Sequence, residues 1–387
     1  MSYRFTLADV AFLTAPAGIE ALAAVDELAL TSASYLADVD TARRLAGDRA
    51  PVLLETVLLR RKAASKVDDP ERWLFTDDSL QQATPAAVAR HRADRFAGRD
   101  VHDVTCSVGV DLMYTSYTAR LAVGSDLDSV RVAMARHNTG LPVIRANALR
   151  PVTRNTAVLA DPARRDASGR RRWQPRDFMP PLDELADVYA GRDMAVKCAP
   201  GIDPADVPWA GEIELVSLTG QVREACLWTG TLATPGVRRR ASVLASTPGG
   251  WTITDAESDD CPVTAPSGWV IDPDGAVVRA GLVRHYAARH GLAQLDPRIA
   301  YLTGDTPPPG IRAFRVLEHG RYTEKALKQA LARRGVGKLE ILVRGLDVDP
   351  NTLRPRLRLR GPATATVVLT RIGSTPTALL CDAERTN

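Results

Sequence analysis

The chain divides by the period of its apolar positions. Over residues 1–98 the spacing is helical: Ile19, Leu22, Ala23 and Val25 follow Thr14-Ala15-Pro16, and Val88 and Ala89 follow Thr84-Pro85 on the way to Phe96 and Gly98. A threonine before a proline suits the orphan amides of a first helical turn, and a glycine suits a helix end, so these residues predict an N-terminal helical region. From 99 to 245 short apolar runs alternate with helical stretches, which predicts strands at 100–105, 121–125, 143–146, 157–160, 194–197, 212–218 and 241–245. Between the second and third of these lies a helix capped by Asp128, with Val130, Ala133, Met134 and His137 on one face and Asn138 and Gly140 at its end. Such alternation predicts an α/β domain built on a doubly wound parallel sheet.

Residues 246–310 are rich in Gly, Pro, Asp and Thr and read as a connector with little regular structure, holding a turn at 269–275 and a helix over 280–291. The run Thr306-Pro307-Pro308-Pro309-Gly310 marks a sharp boundary. Beyond it, 311–387 reads βαβαββ: strands at 313–317 and 339–343, a helix from a Thr323 cap to Gly335 with Arg333 and Arg334 in its last turn, a second helix, then strands at 366–369 and 378–381. This predicts a small second α/β domain.

With 387 residues there is length for two or three cores. The 45% hydrophobic and 25% charged content is that of a soluble globular protein. No apolar run reaches the roughly 18 to 20 residues that span a bilayer, and the first thirty residues lack a basic stretch ahead of an apolar one, so a cytoplasmic address is expected, with no membrane partner. Five scattered cysteines, never spaced Cys-x-x-Cys, argue against a disulfide framework or a structural zinc site. A net charge of +4 leaves nucleic-acid binding to local clusters.

Chemistry concentrates around Asp103-Val104-Thr105-Cys106-Ser107-Val108-Gly109-Val110-Asp111 and the acid Asp126 that ends the next strand. A turn after the first strand that favours glycine, a helix presenting free amides, and a carboxylate at the second strand's end are the wiring for a nucleoside cofactor, the acid accepting ribose hydroxyls. The plainer reading makes Asp103 a satisfied core acid and Asp126 a helix cap. Asn147, after the third strand, either bonds an adenine amine or merely forms a turn. Asp161, at the end of the fourth strand and stiffened by Pro162, either orients an acceptor amine or is an Asp-Pro turn. Next come Arg164, Arg165, Arg170, Arg171, Arg172 and Arg176 with Trp173 and Phe178, either a solvated surface or a loop that holds phosphates and stacks a base.

Taken in order, these motifs resemble the class I methyltransferases that use S-adenosylmethionine. The run Gln82-Ala83-Thr84-Pro85 ahead of Asp103 looks like the Thr-Pro opening helix of trimethylguanosine-synthase-type RNA methyltransferases. More of the chain is similar to a bacterial group, common in actinobacteria, of methyltransferases with a C-terminal THUMP-like domain. The residues that carry this likeness are Asp161-Pro162-Ala163-Arg164-Arg165, Gly169-Arg170-Arg171, Phe178-Met179-Pro180-Pro181-Leu182, Lys197-Cys198-Ala199-Pro200-Gly201, Gly236-Val237-Arg238-Arg239-Arg240 and Leu339-Glu340-Ile341-Leu342-Val343-Arg344-Gly345.

The resemblance implies a Rossmann-like methyltransferase domain over 99–245, a THUMP-like domain over 311–387, a sulfonium methyl donor, no metal, and an RNA substrate methylated on a base amine. It puts the cofactor against Thr84, Asp103, Thr105, Ser107, Gly109, Asp126, Leu127, Asn147, Ala148 and Asp161. It gives Asp161, Pro162 and Arg164 the catalytic positions, and Arg164, Arg165, Arg170, Arg171, Arg172 and Phe178 the nucleic acid. Two departures are visible. Ser107 and Val110 stand where glycine is usual, so the turn is expected to sit further from its ligand, with strain of about 1 kcal/mol or more if a side chain takes positive φ. Pro162 is followed by Ala163 where base-amine methyltransferases carry a second proline and an aromatic, so Phe178 or Trp173 is expected to supply the stacking ring. The rival expectation is a methyltransferase fold that has lost turnover and serves as an RNA-binding scaffold.

Overall fold

A computed structural model describes residues 3–163, 175–245 and 249–382 of the chain. They form two compact units, one of Met1–Ile213, Glu224–Pro235 and Leu244–Pro248, the other of Glu214–Arg223, Gly236–Val243 and Gly249–Asn387.

The first unit opens with helices α1 (Leu7–Thr14), α2 (Pro16–Asp26), α3 (Tyr35–Ala46), α4 (Ala50–Ala63), α5 (Asp77–Gln82) and α6 (Ala86–Ala93). Thr6 and Asp9 make a reciprocal capping box at the start of α1. Thr14 does not cap α2 as its sequence suggests. It ends α1 instead, its hydroxyl donating back to Val10 O at 2.9 Å, and α2 starts behind Ala15 without a side-chain cap. Leu13, Leu22, Val25, Leu53, Leu59 and Phe75 build a core that extends to Val108, Val110, Tyr114 and Met134 of the nucleoside-type half. The helical region is therefore one body with the sheet.

That sheet takes strands β1 (Asp100–Asp103), β2 (Leu121–Asp126), β3 (Val143–Arg145), β4 (Ala157–Ala160), β5 (Met194–Cys198), β6 (Glu212–Leu218) and β7 (Gln221–Trp228), in the order β3-β2-β1-β4-β5-β7-β6. Helices α7 (Val110–Ser116), α8 (Ser129–Thr139) and α9 (Leu182–Val188) complete the unit. Strands β1 to β5 are parallel, and β7 runs antiparallel to β5. Six strands lie where the apolar runs predict them. The seventh, expected at 241–245, is met by β8 (Arg239–Leu244), and the strand that the apolar runs miss is β7, which doubles back from β6 through Thr219 and Gly220, both at positive φ. A hairpin of this kind needs only two turn residues, whereas a parallel seventh strand would need a crossover.

In the second unit β8 (Arg239–Leu244) pairs antiparallel with β9 (Trp251–Thr254). The stretch expected to be a loose connector is ordered. It holds β10 (Trp269–Asp272), α10 (Gly275–Arg279), α11 (Val283–His290), β11 (Ala293–Asp296) and β12 (Ile299–Gly304). These strands join β13 (Arg312–Arg321), β14 (Val336–Arg344), β15 (Ala363–Ile372) and β16 (Thr375–Asp382) in one seven-stranded sheet, β11-β12-β10-β13-β16-β15-β14. The triple proline is no boundary between bodies, because β10 pairs with β13 across it. With α12 (Glu324–Arg333), capped by Thr323, and α13 (Pro350–Leu357), the end of the chain follows the expected βαβαββ order. Leu327, Leu331, Leu353, Leu357, Val367 and Leu369 form its core. Among the described residues no single helix is long and apolar enough to cross a membrane.

Candidate active site

Parallel pairing brings the carboxyl ends of β1, β2 and β4 to one edge, since Asp103 lies in register with both Gly124 and Leu159. The chain leaves β1 through a turn in which Cys106 N–H donates to Ser125 O at 2.9 Å and Gly109 N–H to Cys106 O at 2.8 Å. Ser107 and Gly109 both take positive φ, +50° and +93°. At Gly109 a Cβ would lie 2.6 Å from Thr139 Cγ2, so glycine is required for α8 to pack there as well as for the backbone. Ser107 meets the strained conformation expected of it and is tied down: its N–H donates to Asp126 Oδ2 at 3.0 Å. Asp126 also accepts Asp128 N–H at 2.9 Å, and it is Asp128, not Asp126, that caps α8 through Val130 and Arg131 N–H.

The turn, the strand ends and the α5–α6 link enclose a cavity of about 710 Å³. Thr84, Asp103, Thr105, Ser107, Asp126, Leu127, Asn147, Ala148 and Asp161 all line it, and Gly109 and Pro162 do not. Asn147 forms its own turn, Oδ1 accepting Leu149 N–H at 2.9 Å, while still facing the cavity. Arg164, Arg165, Arg170, Arg171, Arg172 and Trp173 lie outside the described residues. Arg176 is exposed and away from the cavity lining.

Phe178 corrects the expectation. It is 1% exposed, a core side chain that offers no face to a base. A two-way backbone bridge between Ala163 and Met179, 2.9 and 3.0 Å, sets the alternation: Phe178 turns inward and Met179, 64% exposed, faces the cavity with Pro180 and Pro181.

One wall of the cavity, at Thr84, Asp111 and Asp161, is backed by a buried charge network. Arg92 of α6 bonds Asp111 Oδ1 and Glu224 Oε1. Lys197 Nζ donates to Thr84 Oγ1 at 2.6 Å, Asp111 Oδ2 at 2.8 Å and Asp161 Oδ2 at 2.5 Å, and Thr84 Oγ1 donates to Asp111 Oδ2 at 2.9 Å. Thr105 Oγ1 accepts Asp161 N–H at 2.6 Å, joining the β1 turn to the end of β4. Burial alone would push the Asp111 carboxyl up, but Arg92 and then Lys197 hold it well below the usual carboxylate range. Burial likewise works against charge on Lys197, and Asp111 and Asp161 overcome it. Asp103 has neither partner. Burial first, then the like charge of Asp111, pushes its carboxyl well above the usual range. The wall thus sets largely buried, ion-paired carboxylates and cations beside Asp103, whose carboxyl is pushed up, an arrangement suited to receiving a cationic ligand group.

Nothing in the local sequence pattern marks Arg92, Asp111, Lys197 or Glu224 as site residues, although Asp111 ends the turn motif and Lys197 opens the 197–201 motif. The only available signal was a charge set in an apolar run, as in Met194-Ala195-Val196-Lys197-Cys198. All five cysteines are buried and none is in a disulfide; burial pushes the Cys106 thiol up, which fits a packing role beneath the turn.

Residues 311–383 match a family model described as THUMP domain-like, and residues 6–63 match a domain of unknown function. Two relatives from strains of Mycobacterium tuberculosis, each named an uncharacterized S-adenosylmethionine-dependent methyltransferase, are 54% identical over 357 residues, which is 88% of this chain and 99% of each relative. A candidate methyltransferase from Porphyromonas gingivalis W83, known from its crystal structure, shares the fold with a TM-score of 0.74 at 20% identity, over 99% of this chain and 100% of that one.

Proposed function

The chain belongs to the S-adenosylmethionine-dependent methyltransferases, and from that premise we propose that it methylates an amine on an RNA base, with Asp161 as the acceptor-positioning group. The observation that carries the reading is the state of Asp161. Its carboxylate stands at the end of β4 with Oδ2 held by Lys197, its side chain is 37% exposed, and it lines the cavity. An N–H acceptor fixed in that way can orient an amine lone pair. RNA is supported by the THUMP domain-like match and by charge: residues 311–387 carry 15 Lys and Arg against 7 Asp and Glu, a surplus of +8 in a chain whose total is +4.

Bound S-adenosylmethionine supplies an electrophilic methyl group on a sulfonium. The residues present fit such a group: the cavity has the volume of a small-molecule site, an acidic wall and an apolar one of Val108, Leu127, Ala148 and Leu149. Asp126 has lone pairs left after its two backbone bonds and would take the ribose hydroxyls. Asp103 and Thr84, beside Asp111 and Lys197, would meet the amino-acid end. Asp161 would accept one N–H of the acceptor amine. As nitrogen bonds the methyl carbon and the carbon–sulfur bond breaks, the charge growing on nitrogen is met by that carboxylate, to which a proton can pass. Met179 would lie against the base in place of the absent aromatic, and Arg164, Arg165 and Arg170 to Arg172 would hold phosphates.

The test is transfer of labelled methyl to total RNA from cells lacking this protein. Label in nuclease-sensitive material, as a methylated base amine, is expected with the wild type and absent with Asp161→Ala. Label confined to protein or small molecules would overturn the RNA reading.

A further inference from the structure

Lys197 stands where the two ends of the site meet. It is 6% exposed, and its three ammonium hydrogens are matched by three acceptors: Thr84 and Asp111 on the cofactor side, Asp161 on the acceptor side. Nothing in methyl transfer requires a cation there. A sulfonium cofactor would be repelled by one left uncompensated, so the lysine's presence calls for a role.

Behind it, Arg92 bridges Asp111 and Glu224. Among the described residues two cations, Arg92 and Lys197, thus face three ion-paired carboxylates, Asp111, Asp161 and Glu224, which leaves one negative charge in excess. Asp161 is the most exposed of the three carboxylates and lines the cavity, so the excess is presented there.

We propose that Lys197 is the positioning residue for Asp161 and that, by neutralising part of the carboxylate charge, it sets how strongly the cavity distinguishes a cationic sulfur from a neutral one. This rests on the reading of Asp161 and the cavity given above. The donor carries its charge on sulfur, and the demethylated product does not. When the C–N bond forms and the C–S pair returns to sulfur, the attraction lapses and the product is released. With both the geometry and the charge of Asp161 under its control, Lys197 keeps donor preference moderate and acceptor alignment fixed.

The experiment is titration calorimetry with S-adenosylmethionine and S-adenosylhomocysteine, read as the ratio of their dissociation constants. Lys197→Met, which uncovers a carboxylate, is expected to raise the preference for the donor by about tenfold, while Lys197→Arg keeps it near wild type. Asp161→Asn, of opposite sign, is expected to lower it by about tenfold. A lysine that only supports the fold would change both affinities in parallel, and an unaltered ratio in Lys197→Met overturns the proposal. Should circular dichroism show that variant unfolded, Asp161→Asn at the partly exposed end decides, and an unaltered ratio there overturns it equally. Failure of the wild type to bind either ligand would overturn the cavity assignment and this inference with it.

Discussion

Asp126→Ala separates a cofactor contact from a turn tie. In the wild type the carboxylate receives Ser107 N–H at 3.0 Å and Asp128 N–H at 2.9 Å, and an ionised carboxylate has about four lone-pair sites, so about two remain for ribose hydroxyls. Hydrogen bonds to a charged acceptor contribute about 1.5 to 3 kcal/mol, so their loss weakens cofactor binding roughly 10- to 150-fold. The same substitution leaves Ser107 N–H without its partner and costs about 1 to 3 kcal/mol of stability. Ser107→Gly provides the control, because glycine takes a φ of +50° without strain and the turn then no longer depends on Asp126. Calorimetry with S-adenosylhomocysteine and urea unfolding should give lost affinity in both Asp126→Ala and the double variant, with stability partly regained in the latter. Wild-type affinity in Asp126→Ala would refute the ribose assignment. Affinity restored by Ser107→Gly would show that the acid acts only through the turn.

Asp161→Ala should keep S-adenosylhomocysteine binding within about threefold while abolishing transfer, and a fully active variant would end its positioning role. Arg92→Leu leaves Asp111 and Glu224 without their shared cation in a buried site, so unfolding free energy should fall by about 3 to 5 kcal/mol, measured by chemical denaturation; a loss under 1 kcal/mol would mean the network relaxes by hydration. His102 is buried between Ser125 Oγ at 2.9 Å and Thr153 Oγ1 at 3.0 Å, and burial, then Arg192, lower its pKa to about 4. A base whose folded pKa is lowered contributes stability above its unfolded value near 6.5, and that contribution fades as pH falls toward 4. About 3 kcal/mol is at stake in that window, and His102→Gln should flatten it in urea titrations at pH 7 and 4.5.

Local pattern carried much of this protein. The seven strands expected over 99–245, the βαβαββ order at the end, the turn with its strained Ser107, and the carboxylates Asp103, Asp126 and Asp161 at strand ends were legible because each depends on neighbours within a few residues. Periodicity, capping and turn chemistry act over that range. The likeness of the motifs to a methyltransferase family supplied the donor.

Partnership between distant residues was not legible. Strands β10 to β12 are short and set among Pro and Gly, and they gain stability only by pairing with one another and with β13, which no local window reveals. The inward turn of Phe178 and outward turn of Met179 follow from a bridge to Ala163 across the arginine segment. Most of all, Arg92, Lys197 and Glu224 look in sequence like charges bound for water. Their bonds run to residues 19 to 132 positions away, and only the fold brings these groups together at low dielectric, where each must find its opposite. The sequence by itself determined that a nucleoside-type edge exists and which acids end its strands. The tertiary structure decided which of those acids are paired, which has its carboxyl pushed up by burial, and how the cavity is charged, because burial and long-range pairing set those properties and neither is written in any short stretch of chain.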